Sequence, residues 1–262
     1  MKCRPFFIIG NKRSGTSLLV KILLTSPEIY CSFESDAAWI LYCLYHKKPI
    51  TPYQYDNDVG LNITLDSCAE VIDELKRTGI KSVEDAFYKI QLCLKSKTGW
   101  AKHRNLDIIK YIGDKKPVQY ADPDVFQFIT THFKDPCFLH IVRDPRAAAG
   151  SMMRKAQMGR MPGIPEFWRE GTDSVLSHWV KFEKWVIDAK RDHQIYTIRF
   201  EDLCKNYRGE CADLFNHLGL KVRIDKIPST MCRNTNFKYQ FEYIRLEGEA
   251  REIAREYRYV TS

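Results

Sequence analysis

At 262 residues, with 44% hydrophobic and 28% charged residues and a formal net charge of +8, the chain has a globular composition and is long enough for one large α/β domain or two small ones. No apolar run approaches the roughly 18 residues of a membrane-spanning helix, and the short apolar run near the start is too brief for a secretory signal core. Nine cysteines, odd in number and without a Cys-x-x-Cys pair, argue against a zinc site and a disulfide framework, so a cytoplasmic location with reduced thiols is expected.

The first strand is expected over Phe6–Ile9. It runs into "GNKRSGTS" and then a helix over Thr16–Thr25, with Leu18, Leu19, Ile22 and Leu23 on one face and Pro27 beyond its end. Gly10, four residues and Gly15 repeat the spacing of a phosphate-binding loop, but Thr16 stands where that loop needs lysine. A strand–glycine loop–helix unit aims N–H groups and a positive helix end at an anion. Arg13 adds charge, and Ser14, Thr16 and Ser17 add hydroxyl donors. The plainer reading is a helix capped by Thr16 or Ser17. Loss of the lysine removes the γ-phosphate ligand, which disfavours an ATPase or kinase and suits a shorter anionic chain.

A second strand, Tyr30–Phe33, ends in "CSFESD". Glu34 at that end suits a general base; the alternative is an exposed loop glutamate. Residues Lys47–Asn62 read as an insertion loop that ends on the sequon Asn62-Ile63-Thr64. A further strand near Ile108–Ile112 leads to Lys115 and Lys116, either charge at a site centre or a solvated basic turn. The strand "CFLHIV", Cys137–Val142, ends at Arg143, and Ser151 follows eight residues later on a helix over Ala147–Ala156. An arginine fork with a hydroxyl suits a terminal phosphate. The rival is a Mg²⁺-binding Asp144, which the adjacent Arg143 and the missing lysine disfavour.

From Arg143 to Arg160 the basic residues Arg143, Arg146, Arg154, Lys155 and Arg160 face the lone acid Asp144. Trp179, Phe182 and Trp185 on a helix over Val175–Ala189 are expected in the core, as is His140 within its strand. A strand over Ile195–Phe200, a helix over Asp202–Leu218 and a terminal helix in "EGEAREIAREYRYV" complete the pattern. Alternating strands and helices imply an α/β fold, with a central parallel sheet flanked by helices and ligands at the carboxyl ends of the strands. A single domain over residues 1–262 is expected.

Taken together, "RSGTSLL", "GDKKP", "IVRDPRAAAGSMMR" and "IRFEDLCKNYRGECADLFNHLGL" resemble the signature of sulfotransferases that use 3′-phosphoadenosine-5′-phosphosulfate (PAPS), releasing 3′-phosphoadenosine-5′-phosphate (PAP). The resemblance runs from about Phe6 to Leu220 and is nearest in spacing to tyrosylprotein sulfotransferases and their bacterial relatives. It implies a P-loop-like three-layer fold and no metal. It implies catalytic roles for Glu34 (base), Arg13 and Lys115. Cofactor contacts are implied for Arg13, Ser14, Gly15, Thr16, Ser17, Arg143 and Ser151. Phe200 stands in "RFEDL" where a tyrosine is common, losing one hydroxyl contact. Lys238, with Ser229 or Thr230, is the candidate for the family's late lysine. An arginine that follows the base in tyrosylprotein enzymes is replaced by Ser35-Asp36.

The expected function is transfer of a sulfuryl group from PAPS to an acceptor hydroxyl on a peptide tyrosine, a glycan or a small molecule. Lys47–Asn62 and Met158–Asp173 would shape the acceptor side, with His103 a minor candidate there. The alternative is a Mg²⁺-dependent P-loop nucleotide kinase. A nucleic-acid-binding module ranks lower, because the segment from Lys221 mixes acids with its basic residues.

Overall fold

The apolar runs become strands β1 (Arg4–Ile9), β2 (Ile29–Phe33), β3 (Tyr111–Lys115), β4 (Cys137–Val142) and β5 (Ile195–Arg199). They form a five-stranded sheet in the order β2-β3-β1-β4-β5. In the computed structural model residues 3–53, 59–98, 104–158, 168–239 and 244–260 are described. None of their helices is long and apolar enough to cross a membrane. The chain divides into two units: Met1–Ile9 with Pro27–Phe138, and Gly10–Ser26 with Leu139–Ser262.

In the first unit β1 and β2 both pair in parallel with β3, with Phe6 and Cys31 each opposite Gly113. β1 is buried almost throughout, which explains its unbroken apolar run. Phe7, fully buried, touches the rings of Phe87, Tyr120, Phe133 and Phe138 at centroid distances of 5.1 to 5.8 Å. Helices α2 (Ala37–Tyr45), α3 (Val59–Ser67), α4 (Ala69–Thr78), α5 (Val83–Lys97) and α6 (Pro123–His132) belong to this unit.

Two expectations shift here. The strand near Ile108–Ile112 starts only at Tyr111; Leu106–Ile108 is a 3₁₀ turn, started by Asn105, whose side chain accepts the Asp107 N–H at 3.0 Å. The expected loop Lys47–Asn62 gives way to α3 at Val59, and its residues 54–58 lie outside the described set. The sequon is therefore helical, with Thr64 fully buried and its hydroxyl donating to the Ser35 carbonyl at 2.6 Å.

The second unit holds helices α1 (Thr16–Leu23), α7 (Pro145–Gln157), α8 (Thr172–Ala189), α9 (Phe200–Lys205), α10 (Tyr207–His217) and α11 (Gly248–Glu256). Its core joins Val142 and Trp179 to Ile253, Ala254 and Tyr257. A second cluster joins Ala148, Ala149 and Met152 of α7 to Trp168, Val175 and Leu176. The single helix expected over Asp202–Leu218 is two. Asn206, at φ −132° and ψ 56°, breaks it and accepts the Gly209 N–H at 3.3 Å to start α10. An asparagine favours such local capping over a helix interior.

Candidate functional site

In the second unit the loop between β1 and α1 is shaped by Gly15. Its φ of 102° is left-handed, and a Cβ there would lie 2.6 Å from Phe200 Cδ2. No side chain caps α1; the Leu18 and Leu19 N–H groups return to the Gly15 carbonyl at 2.9 and 3.1 Å, which leaves the Thr16 and Ser17 N–H groups for solvent or an anion. The capping reading of Thr16 and Ser17 therefore does not hold. Ser14 is fully buried, and its hydroxyl has no hydrogen-bond partner among the described residues. Thr16 is buried and Ser17 exposed.

Arg13 has a left-handed backbone, φ 70°, a conformation that persists in a non-glycine residue only where the surroundings impose it. Its Nε donates to Ser151 Oγ at 3.0 Å, and its carbonyl accepts from Arg143 Nη1 at 2.9 Å. Ser151 and Arg143 are buried, at 1% and 4% exposure. Arg143 also donates from Nε and Nη2 to Asn236 Oδ1, at 2.9 and 2.7 Å, and from Nη2 to Thr235 Oγ1 at 3.3 Å. Its guanidinium lies 4.5 Å from the Phe200 ring centroid. Loop, β4 end and α7 thus meet in one network through Arg13, Arg143 and Ser151, a direct contact that the sequence did not predict.

Asn236 is fixed in turn by Glu201. Its Nδ2 donates to Glu201 Oε1 at 2.8 Å, which also accepts the Asp144 N–H at 3.1 Å, while Tyr259 donates its hydroxyl to Glu201 Oε2 at 2.9 Å. Burial, reinforced by that carboxylate, pushes the Tyr259 phenol well up. Asp144 caps α7 and is bound bidentately by Arg146 at 3.0 and 2.7 Å. Lys238 is exposed; its carbonyl accepts from Arg154 Nη1 at 3.4 Å. Thr235, Asn236 and Glu201 escaped the sequence reading. Their only signal was the acid of "RFEDL" and a polar "NTN" stretch.

The first unit holds Glu34 and Lys115. Glu34 follows β2 in a left-handed conformation, φ 56°, and its N–H donates to the Lys115 carbonyl at 3.0 Å. The Lys115 ammonium, 2% exposed as a side chain, forms an ion pair with Glu34, whose side chain is 39% exposed. It also lies 3.7 Å from the Phe33 ring centroid. Burial disfavours the charged ammonium and pulls Lys115 down, with the Glu34 carboxylate opposing.

Lys116 is buried too and pairs with Asp36 at 2.6 Å, while Gln119 donates to the same carboxylate at 2.7 Å. The Lys-Lys pair is not a solvated turn. Asp114, fully buried, accepts from the Ser32 and Ser35 hydroxyls at 2.8 Å each, from the Ser35 N–H and from Tyr120. Gly60 of α3 lies against this turn, where a Cβ would stand 1.8 Å from the Glu34 carbonyl oxygen.

Of the remaining candidates, His103 and most of Met158–Asp173 lie outside the described residues, as does Arg160. Trp179 and Phe182 are core residues and His140 is fully buried, in line with the sequence, whereas Trp185, expected in the core with them, is only half-buried.

A family model described as "Sulfotransferase family" matches residues 5–224. No curated protein sequence matches the chain. Among solved structures, it is similar to the sulfotransferase domain from the Synechococcus PCC 7002 olefin synthase, at 16% identity over 100% of this chain and 97% of that one, TM-score 0.63. It is likewise similar to the sulfotransferase domain from the curacin biosynthetic pathway, at 15% identity over 100% and 99%, TM-score 0.61. The sulfotransferase STF9 from Mycobacterium avium is similar at 11% identity over 98% and 76%, TM-score 0.52. At these identities the likeness shows the fold, a P-loop-like α/β sheet flanked by helices.

Proposed function

Since this chain belongs to the sulfotransferase family, we propose that it transfers a sulfuryl group from PAPS to an acceptor hydroxyl, with Glu34 as general base. The observation that carries the donor assignment is the single network joining Arg13, Ser151 and Arg143 beside an uncapped helix start. Two cationic side chains, a buried Ser14 hydroxyl without a partner among the described residues and the Thr16 and Ser17 amides at the helix start are the chemistry that a nucleotide with phosphates at both ends requires.

PAPS, when bound, supplies the sulfuryl group on a phosphate leaving group. The loop amides and the Ser14, Thr16 and Ser17 hydroxyls hold the 5′-phosphosulfate. Arg143 and Ser151 hold the 3′-phosphate and so discriminate against nucleotides that lack it. Glu34 takes the proton from the acceptor hydroxyl as its oxygen bonds to sulfur and the sulfur–phosphate-oxygen bond breaks. Lys115 is ion-paired with Glu34, and the charges of Lys115 and Arg13 stabilise the negative charge that develops. The assignment of Glu34 and Lys115 comes from the sequence resemblance and from their ion pair.

The kinase alternative needs a carboxylate for Mg²⁺ and a loop lysine. Asp144 is already held by the Arg146 guanidinium and the Arg146 backbone N–H of α7, and Thr16 stands in the lysine's place. Incubation with labelled PAPS and a pooled set of phenols, glycans and tyrosine peptides, read by mass, tests the proposal. Calorimetry against PAP and ATP–Mg²⁺ completes it. Sulfated product with a preference for PAP supports the reading; ATP–Mg²⁺ bound in preference to PAP overturns it.

A further inference from the structure

Asn11 sits in the glycine loop two residues before Arg13 and is 4% exposed. Its carbonyl accepts the Ser14 N–H at 3.2 Å, closing the turn that carries Arg13. Its side chain reaches away from the loop. Nδ2 donates to Glu183 Oε1 at 3.0 Å and lies 3.5 Å from the Trp179 carbonyl.

Glu183 is fully buried in the middle of α8. A carboxylate in such a place is far more costly than an aliphatic side chain unless partners surround it. His140 of β4, also fully buried, brings Nε2 to 3.2 Å from Glu183 Oε2 and is itself tied through Nδ1 to Thr197 Oγ1 at 3.2 Å. Oε1 of the fully buried acid therefore accepts from the loop, while Oε2 lies beside the His140 ring without a hydrogen bond among the described residues. Asn11 is thus bonded at both ends, its carbonyl to the loop and its amide to the helix beneath.

We propose that Asn11 and Glu183 are positioning residues for donor binding: the buried carboxylate of α8 holds the phosphate-binding loop in its binding conformation through the Asn11 amide. Neither residue touches the donor in this scheme. They act through the placement of the backbone from Arg13 to Ser17, and the inference rests on the donor assignment made above. A purely structural role lowers the folded fraction and the melting temperature. A positioning role changes the affinity of the protein that is folded.

The test is calorimetric titration of PAP into wild type, Asn11→Ala, Glu183→Gln and Glu183→Leu, with donor and acceptor KM measured alongside and thermal melts without ligand. Asn11→Ala is expected to raise the PAP Kd and the donor KM in parallel, by roughly tenfold, the effect of leaving a buried acceptor unmatched. Acceptor KM is expected to stay at the wild-type value. Glu183→Gln keeps an oxygen for the Asn11 amide, so its Kd stays within roughly threefold of wild type, whereas Glu183→Leu behaves as Asn11→Ala. Wild-type Kd and donor KM in Asn11→Ala overturn the inference, and that variant alone decides it where Glu183→Leu does not fold. Wild-type protein that binds no PAP instead overturns the donor assignment itself, and this inference with it.

Discussion

Arg13 and Ser151, 138 positions apart in the chain, are joined by a 3.0 Å hydrogen bond from the guanidinium Nε to the serine hydroxyl. The bond ties the turn before α1 to the second turn of α7. It also selects one direction for a long, exposed side chain that would otherwise sample many. Ser151→Ala removes that restraint and one hydroxyl donor. The PAP Kd is expected to rise roughly five- to tenfold, the worth of one charge-assisted bond. A Kd equal to wild type by calorimetry would separate Ser151 from donor binding.

Arg143 carries more of the network than Ser151. Removing it strips the bonds to Asn236, Thr235 and the Arg13 carbonyl together. Arg143→Ala is expected to weaken PAP by on the order of a hundredfold, and to change the affinity of a nucleotide without the 3′-phosphate far less. Arg143→Lys keeps the charge but loses the fork and is expected to restore little. Equal losses for the 3′-phosphorylated and unphosphorylated nucleotides would refute the 3′-phosphate role.

How much of this was legible in the sequence depends on the reach of each contact. Gly15 was readable because a backbone φ of 102° demands glycine and because the loop is a local unit. The ends of β1, β2 and β4 were readable because buried strands in a parallel sheet leave unbroken apolar runs. Asn236 and Glu201 were not. Each is a common polar residue whose partner lies 93 or 57 positions away, and nothing local distinguishes it from a solvated neighbour. The start of β3 was displaced because Ile108 and Ile109 are as apolar as a strand, yet the Asn105 side chain turns the chain there into a 3₁₀ turn. Lys116 looked like half of a solvated pair, and only burial beside Asp36 shows otherwise.

Gly60 shows that Glu34 is held from behind. A methyl group on Gly60 would place its carbon 1.8 Å from the Glu34 carbonyl oxygen, so Gly60→Ala forces the turn or α3 to move. The loss of stability is expected to be about 1–3 kcal/mol, a drop in Tm of a few degrees for a chain this long. Because the displaced group is the backbone of Glu34, kcat is expected to fall while the PAP Kd keeps its wild-type value. Loss of PAP affinity with kcat preserved would contradict this account.

Glu34→Gln tests the base directly. The amide keeps the shape and a hydrogen-bond acceptor for Lys115 but takes no proton. Turnover is expected to drop by roughly 10²–10⁴, the usual worth of general-base assistance, with PAP binding unchanged. Turnover near wild type would remove Glu34 from the chemistry.

Lys115 gives the reaction a pH signature whose sign is fixed by its surroundings. Burial favours the neutral amine and outweighs the pull of the Glu34 carboxylate, so the proton leaves below the ordinary lysine value of 10.5. The unfolded chain then holds this proton more tightly than the folded one. Stability from this group is therefore lowest below the folded-state pKa and rises with pH through the window up to 10.5. Activity follows the opposite course, because the charged ammonium is the form that stabilises the developing negative charge. A plot of kcat/KM against pH is expected to fall on its alkaline side at a pH below 10.5. Lys115→Arg, charged at every accessible pH, is expected to lose that alkaline fall even if its plateau is lower. An alkaline limb that stays in place in Lys115→Arg would assign the titration to another group and leave Lys115 a structural partner of Glu34.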